Sequence, residues 1–538
     1  MSAAHLFELL LLLLAIVVGL ELAARRLNLP PAAALIVGGI VLALIPAMPQ
    51  VQLDPDLALL LFLPPLLLGS AYFTVWRDFV ANIRIILQLA VGAVLFTTLV
   101  VGVVTHWVTS LPWAACFALG AIVSPPDAVA AKAVLARVKL PPRMVVLLEG
   151  ESLLNDASGI VLYRFAVAAA LTGAFSATDA AAQFGILAVG GVAVGVAFGY
   201  ATMLLLTHLR DPVLVSVTSL LVAWVSYVAA EKLHVSGVLS TVACGLVMGV
   251  RQHRVLDAAT RTRTRAVWEA SSFVLESLVF ILIGLSLRGV LERLGGTWQS
   301  ILGLLPAVAA IVAAVVLSRF AWMFAATYIP RALIPALRRR DPYPPPAVPV
   351  VMSWAGMRGV VSLAIALSLP AEFPERDFIL ATTFAVILVT VLVQGTTLAP
   401  MIRALHLGEF KLRQRKTMAE HEARALLAHA QLAAVNQESA GHDGAHRHPR
   451  LVEQYTYRAR ASARFSAAPD KHEADRAEHF RVVLAAIAAG RAELLRLHDE
   501  GRIHDDVLHE LEEELDLEEI SARRFEREEE LGEDAPMR

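Results

Sequence analysis

Apolar residues dominate the first three quarters of the chain in long runs, which charged residues, prolines and glycines interrupt. Runs of about 18 or more nearly uncharged residues recur, and a helix of that length can cross the hydrocarbon core of a bilayer. Divided at the interruptions, residues 1–408 predict about thirteen transmembrane helices. These predicted spans start near Leu6, Pro31, Leu57, Ile85, Trp113, Met144, Phe184, Val213, Ser236, Val267, Ile301, Ala347 and Phe378. The pattern predicts an all-α polytopic membrane protein.

The composition supports this class and separates a second part of the chain. Of the 538 residues, 57% are hydrophobic and 17% are charged, whereas soluble domains carry about 25% charged residues. Residues 1–408 hold 26 Lys/Arg and 20 Asp/Glu, while residues 409–538 hold 20 and 28. We therefore predict a transmembrane domain over residues 1–408 and a cytoplasmic, mostly helical regulatory or interaction tail over residues 409–538.

The connections between the predicted spans differ in basic residues. Those after odd-numbered spans hold nineteen Lys/Arg, and those after even-numbered spans hold four. Because cytoplasmic loops are enriched in Lys/Arg, the N-terminus is predicted outside and the C-terminus in the cytoplasm, across the plasma membrane (in a bacterium, the inner membrane). The first span is predicted to be retained, since no basic residue precedes it. Thirteen spans fit two inverted six-helix halves joined by one extra helix.

The fifth predicted span is interrupted at Ser124-Pro125-Pro126-Asp127. Two consecutive prolines remove backbone donors, break the helix and free carbonyl groups at membrane depth. Asp127 at this break either binds a cation beside the freed carbonyls or caps the following half-helix. Both roles remain open from the sequence.

The sixth predicted span contains a second carboxylate, Asp156, which follows Asn155 and lies four residues after Ser152. Helical spacing places the Ser152 hydroxyl and the Asp156 carboxylate on one face. Burial favours the protonated carboxyl group, whereas a bound cation favours the ionised one. We therefore expect Asp156 to bind a monovalent cation or a proton, with Ser152, Asn155, Asp127 and Ser124 contributing to the site. The alternative is an aspartate that only packs between helices.

The twelfth predicted span contains Gly356-Met357-Arg358-Gly359, in which two glycines flank a permanent cation. Two interrupted helices at corresponding positions of two halves indicate a transport site. Arg358 is expected to compensate carboxylates or freed carbonyls there. Glu151 is its expected partner in a structural ion pair.

Two further charges inside predicted spans are less specific. Glu276 and Arg319 are candidate supporting charges that either pair with each other across the eleventh span or extend to an interface. The sequence contains neither a Gly-x-x-x-x-Gly-Lys-Ser/Thr loop nor a His-Glu-x-x-His motif, which argues against a nucleotide-driven pump and an intramembrane metalloprotease. A cation channel using Asp127 and Asp156 remains an alternative.

Several motifs together resemble the monovalent cation:proton antiporter-1 family, the group of the bacterial NhaP antiporters and the eukaryotic sodium/proton exchangers. The resemblance runs through most of residues 1–408. It rests on Phe62-Leu63-Pro64-Pro65-Leu66-Leu67, the break from Ser124 to Val129, the stretch from Glu149 to Asp156, Ser236-Gly237-Val238-Leu239-Ser240, Phe280-Ile281-Leu282-Ile283-Gly284-Leu285 and Gly356-Met357-Arg358-Gly359.

This resemblance implies thirteen spans with crossed, discontinuous helices five and twelve, a homodimer in the lipid bilayer and alternating access. Asp156 is similar to the family's cation- and proton-binding aspartate, preceded by Asn155 as in its Asn-Asp pair. Ser152 is similar to a hydroxyl ligand, and Glu151 and Arg358 resemble a salt bridge of the family. The sequence departs from the family at Pro126-Asp127-Ala128, where Thr-Asp-Pro is common.

The resulting functional prediction is a secondary transporter, not an enzyme. It exchanges a monovalent cation, Na⁺ first, for H⁺ without net charge movement, in the service of pH and cation homeostasis. Transport of K⁺ or Li⁺ by the same mechanism is the alternative. We expect no cofactor, no nucleic-acid partner and no nucleotide site in the membrane domain.

Overall fold

The computed structural model describes residues 3–27, 29–46, 55–127, 131, 140–173, 176–209, 211–293, 298–370, 372–407, 420–440, 446–467 and 469–533. Within these residues the structure is helical and contains no β-strand. The chain divides into two compact units, Met1–Arg413 and Gln414–Arg538. The predicted boundary between residues 408 and 409 lies outside the described residues.

The first unit begins with apolar helices that follow one another through short connections. They are α1 (Ala3–Arg26), α2 (Pro31–Ala43), α3 (Pro55–Tyr72), α4 (Trp76–Leu87), α5 (Val94–Thr109), α6 (Trp113–Val123), α7 (Pro142–Thr172), α8 (Ala177–Leu206) and α9 (Pro212–Lys232). A π-helical segment, Gln88–Ala93, joins α4 to α5, so that both form one continuous rod.

The same unit continues with α10 (Gly237–Val255), α11 (Ala258–Leu285), α12 (Leu287–Arg293), α13 (Trp298–Leu333), α14 (Pro335–Arg340), α15 (Ala347–Trp354), α16 (Val360–Leu367), α17 (Arg376–Val389) and α18 (Gly395–Ala404). A second π-helical segment, Thr390–Gln394, joins α17 to α18. Prolines occupy the first position of α2, α7 and α9, where the missing N–H costs no hydrogen bond.

Seven of the described helices are long and apolar enough to cross a membrane: Trp76–Thr109, Pro142–Thr172, Thr178–Leu206, Pro212–Lys232, Ala258–Arg293, Leu302–Leu333 and Arg376–Ala404. Shorter apolar helices accompany them at Pro31–Ala43, Leu59–Tyr72 and Trp113–Val123. The predicted class, an all-α polytopic membrane protein, is thereby confirmed. The number of thirteen spans and the inverted repeat stay predictions.

Two helices of this unit are interrupted where the sequence predicts it. Helix α6 ends at Val123, and the residues from Ser124 to Asp127 are not helical. Helix α15 ends at Trp354, and α16 begins only at Val360. The first interruption coincides with Pro125 and Pro126 and the second with the two glycines around Arg358, in agreement with the backbone preferences of these residues.

An ion cluster fastens the first turn of α7 to the segment after α14. Arg143 donates from both terminal nitrogens to the Asp341 carboxylate at 2.9 Å, and Arg331 donates to the same carboxylate at 2.6 Å. Burial opposes ionisation of Asp341, but the hydrogen bonds and charges of Arg143 and Arg331 outweigh it and lower the pKa of this carboxyl. The cluster therefore holds a charged aspartate at one end of the helices that carry the site.

The second unit consists, in its described part, of α19 (Glu420–Ser439), α20 (Pro449–Ala467), α21 (Pro469–Asp499) and α22 (Asp505–Glu533). Helix α19 packs against α20, and α21 packs against α22. Arg491 links the latter pair by donating to Glu519 of α22 at 2.6 Å. These are two antiparallel helix pairs.

Candidate ion-binding site

The first interruption is held in place by a side chain of α7, a helix that follows it along the chain. Asn155 of α7 is fully buried, and its Nδ2 donates to the carbonyl oxygen of Pro126 at 2.6 Å. Helix α7 approaches this closely because Gly159 faces Pro125, whose Cγ would lie 2.3 Å from a Cβ at that position. The Pro126 carbonyl within the break is thus satisfied by Asn155.

The two interruptions contact each other directly. The backbone N–H of Asp127 donates to the carbonyl oxygen of Met357 at 2.7 Å. The Asp127 carboxylate lies against the backbone of Gly359, because a Cβ there would fall 1.6 Å from Oδ2. Only glycine fits this position, which explains physically why Gly359 stands at the second break.

Asp156 lies beside this junction on α7 and is 7% exposed. Among the described residues no hydrogen bond or ion pair joins its carboxylate to another side chain. The Asp127 carboxylate lies close enough to repel an ionised Asp156 carboxylate. A buried carboxylate in this setting needs a proton or a cation to remain in an apolar unit.

The predicted ion pair between Glu151 and Arg358 is wrong. Glu151 instead accepts two hydrogen bonds from Arg319 of α13, one from Nη1 at 2.6 Å and one from Nη2 at 2.9 Å. Both side chains are buried, at 1% and 4% exposure. The fork of a guanidinium matches a carboxylate in this bidentate geometry, and Arg319 reaches it from mid-span.

Both predicted alternatives for Arg319, a pair with Glu276 and a position at an interface, are therefore wrong as well. Its Nη2 also donates to the Met352 carbonyl oxygen at 3.2 Å, and its Nε would lie 2.2 Å from a Cβ at Gly356. Arg319 thus links α7 to the end of α15. Glu276 is part-buried on α11.

Arg358 lies within the second interruption and is 1% exposed. Its Nη1 donates to the Gly356 carbonyl oxygen at 3.0 Å, and its backbone N–H donates to Oγ1 of Thr390 at 3.1 Å. The expectation that Arg358 compensates freed carbonyls agrees with this arrangement. The physical reason for the changed partner is that the unwound backbone itself supplies acceptors, while Arg319 already satisfies Glu151.

The remaining predicted residues surround the junction. The Ser124 hydroxyl is buried and lies 2.9 Å from Oγ1 of Thr98 on α5, and it also contacts the Ala121 carbonyl oxygen at 3.3 Å. Ser152 is part-buried on α7, one turn before Asp156. The structure thus brings Ser124, Asp127, Asn155 and Asp156 to one region and adds Thr98 to the set.

Sequence reasoning missed Thr98 and Thr390, because a threonine in an apolar span has no charge to mark it. It also misassigned the partner of Glu151. The signal that could have found Arg319 is its position at the centre of a long apolar run, where a permanent cation requires a buried counter-charge.

Two interrupted helices that meet beside a buried carboxylate, inside an apolar helical unit, define the class of secondary ion transporters. Comparison with known sequences gives the family. The profile described as "Sodium/hydrogen exchanger, transmembrane" matches residues 11–404. The chain belongs to this sodium/hydrogen exchanger family, which confirms the resemblance of its motifs.

Individual relatives agree with this assignment. An uncharacterised Na⁺/H⁺ exchanger of Mycobacterium tuberculosis is 32% identical over 523 residues, which cover 95% of this chain and 94% of the relative. A sodium, potassium, lithium and rubidium/H⁺ antiporter of Bacillus subtilis is 34% identical over 381 residues, covering 68% of this chain and 56% of the relative.

A solved structure shares the fold. The sodium proton antiporter MjNhaP1 from Methanocaldococcus jannaschii superposes with a TM-score of 0.59 at 22% identity, covering 76% of this chain and 100% of that chain. The family consists of cation:proton antiporters, so this chain is a secondary transporter and not an enzyme.

Proposed function

We propose that the protein exchanges one Na⁺ for one H⁺ across the membrane and that Asp156 binds the two ions in alternation. The observation that carries this proposal is the buried Asp156 carboxylate beside the junction of the two interrupted helices, where the described side chains offer it no ion pair. A proton or a monovalent cation neutralises this group, and both cannot do so together. Competition for one carboxylate couples the two fluxes.

Oxygen atoms near Asp156 supply the further ligands that we propose for the cation. Asn155 Oδ1 is fully buried and accepts no hydrogen bond from the described residues. Asp127 contributes a second carboxylate and Ser152 a hydroxyl one turn away, and the Ser124 hydroxyl lies at the edge of the break. Oxygen ligands of this kind replace the water shell of a hard cation.

Transport follows from the cost of moving an uncompensated charge. An empty, ionised Asp156 is too unfavourable in an apolar barrier to cross it, so the site moves only when occupied. Asn155 stands next to Asp156 instead of a second acid, and Arg358 in the second break offsets the charge of Asp127. The site then carries one net negative charge, which supports electroneutral one-for-one exchange. We assign Glu151 and Arg319 to the structural frame, since they neutralise each other.

The membrane arrangement that we propose has thirteen spans in two inverted halves, with the N-terminus outside and the C-terminal tail in the cytoplasm of a homodimer in the plasma membrane. The unequal distribution of Lys/Arg between alternate connections supports the orientation. The interruptions after Val123 and after Trp354, in contact through Asp127 and Met357, support two related halves.

Potassium is the second candidate cation, transported either instead of Na⁺ or in addition to Na⁺ and Li⁺. It is favoured by the Bacillus relatives, whose name includes sodium, potassium, lithium and rubidium. A site of carboxylate, amide and hydroxyl oxygens, without a rigid ring of carbonyls, has chemistry suited to several monovalent cations. Separate challenges with each cation decide between a selective and a broad exchanger.

The test is cation-driven proton flux in proteoliposomes with a pH-sensitive dye inside. We expect Asp156→Asn to abolish the flux, because the amide cannot exchange a proton, while expression and elution in size-exclusion chromatography stay normal. Asp211→Asn is the matched control, since Asp211 is an exposed N-cap and asparagine also caps helices. Flux that persists in Asp156→Asn would refute the assignment.

The same vesicles test the stoichiometry. Electroneutral exchange runs at the same rate with and without an imposed membrane potential, whereas unequal exchange and a channel both respond to it. A current that rises linearly with voltage and does not saturate with cation would identify a channel instead.

A further inference from the structure

The two interruptions share one continuous chain of hydrogen bonds. Asn155 Nδ2 donates to the Pro126 carbonyl, and the N–H of that same Pro126–Asp127 peptide group donates to the Met357 carbonyl at 2.7 Å. The N–H of the Met357–Arg358 peptide group then donates to Thr390 Oγ1 at 3.1 Å. One peptide group from each break is therefore bonded on both of its sides.

Thr390 closes this chain at the end opposite Asn155. It is 1% exposed and begins the π-helical segment after α17. Its hydroxyl lies 2.8 Å from the Val386 carbonyl oxygen and 3.2 Å from that of Ile387. A hydroxyl has one proton, which it donates to its own helix, so its oxygen remains the acceptor for Arg358 N–H.

The two ends of the chain are built alike. Asn155 lies on α7, the described helix that follows the first break, and Thr390 follows α17, the long helix after the second break. In each case a polar side chain from a later helical segment bonds the unwound backbone. Thr390 is thus the counterpart of Asn155 at the other end of this chain of hydrogen bonds.

We infer that Thr390 is a positioning residue for ion binding: it fixes the Met357–Arg358 peptide group and, through it, the Asp127 and Asn155 groups beside Asp156. A buried N–H needs an acceptor, so without the Thr390 oxygen this peptide group turns to find another. Its carbonyl then leaves the Asp127 N–H. Hydrogen bonds in series polarise one another, so a loss at one end weakens the other. The inference rests on the proposed role of Asp156.

The test compares three variants in the proteoliposome assay, with Na⁺ and K⁺ titrated separately. Thr390→Val keeps the shape and removes the acceptor, and loss of one such bond corresponds to an increase of about tenfold in the apparent KM for the cation. Thr390→Ser restores the hydroxyl and should return KM to within about twofold of the parent value. Thr383→Val is the matched control, since Thr383 is fully buried in the same continuous helical span, Arg376–Ala404, and its hydroxyl bonds no described residue.

We expect the increase in KM for Thr390→Val with a smaller change in maximal rate, and neither change for Thr383→Val. An unchanged KM in Thr390→Val, or equal impairment of Thr390→Ser, would overturn the inference. Thr390→Ala replaces the valine variant if that one does not fold. If both fail to fold while Thr383→Val folds, Thr390 is structural and the inference is wrong. Flux in Asp156→Asn would instead show that the proposed function itself fails.

Discussion

The buried pair of Glu151 and Arg319 gives a prediction whose size follows from its geometry. Removing one partner of a buried, bidentate pair leaves the other charge uncompensated, at a cost of about 3–5 kcal/mol. Arg319→Met should therefore shift the unfolding equilibrium by roughly two to four orders of magnitude. Methionine fills similar volume, so the loss reports the charge more than a cavity.

A double-mutant cycle separates the partner that the structure shows from the one that the sequence predicted. Glu151→Gln combined with Arg319→Met removes both charges, so the double variant should be less destabilised than the sum of the single ones, by about 2 kcal/mol or more. Glu151→Gln combined with Arg358→Met should show less than half of that coupling, because Arg358 bonds the Gly356 carbonyl instead.

The assay is equilibrium unfolding of the purified protein in mixed micelles, followed by tryptophan fluorescence, with each single and double variant measured under the same conditions. Equal coupling of Glu151 to both arginines, or stronger coupling to Arg358, would refute the pairing drawn from the geometry.

Two further predictions concern Asp341, after α14, and Gly359, in the second interruption. The pKa of Asp341 is lowered, so its contribution to stability is complete above the unfolded-state value of about 3.9 and is lost as pH falls through the lower folded-state value. The parent protein should keep this contribution from neutral pH down to about pH 4. Asp341→Asn should lower the thermal midpoint over this whole range, and an unchanged midpoint at neutral pH would contradict the role of Arg143. Gly359→Ala should reduce the exchange rate by about tenfold or more, because its Cβ displaces the Asp127 carboxylate. Gly289→Ala is the control, since nothing lies within 4 Å of the new Cβ, and it should leave the exchange rate unchanged. Equal rates in the two glycine variants would contradict the close approach at Gly359.

Much of the fold could be predicted because the bilayer imposes simple rules. A membrane helix needs a long apolar run, and the breaks need prolines or glycines. The predicted starts at Pro31, Trp113, Val213 and Ser236 lie within one residue of observed helix starts or caps. The fourth start, Ile85, is wrong by nine residues, because α4 begins at Trp76 as an amphipathic helix that carries Asp78 and Arg84.

The sequence predicted which charged residues lie in the candidate site, but it did not predict which side chains they contact. A carboxylate in an apolar span is visible in the sequence and marks a candidate site, because its burial is unfavourable unless a bound ion, a proton or a counter-charge compensates it. Which arginine reaches Glu151 depends on how α7, α13 and α15 pack, and no periodicity in the sequence encodes that. Neutral groups such as Thr390 matter through a single hydrogen bond to backbone, which sequence patterns do not contain.

The corrected pairing changes the charge balance around the breaks. With Glu151 and Arg319 joined, their charges cancel within one buried contact. Among the residues that the structure describes, the charged side chains left at the junction are Asp127, Asp156 and Arg358, whose sum is one negative charge when both carboxylates are ionised. One proton or one monovalent cation brings that sum to zero, and a second would leave it positive in an apolar surrounding, which is unfavourable. The position of Arg358 inside the break therefore supports one-for-one exchange more directly than the neutral Asn155 alone.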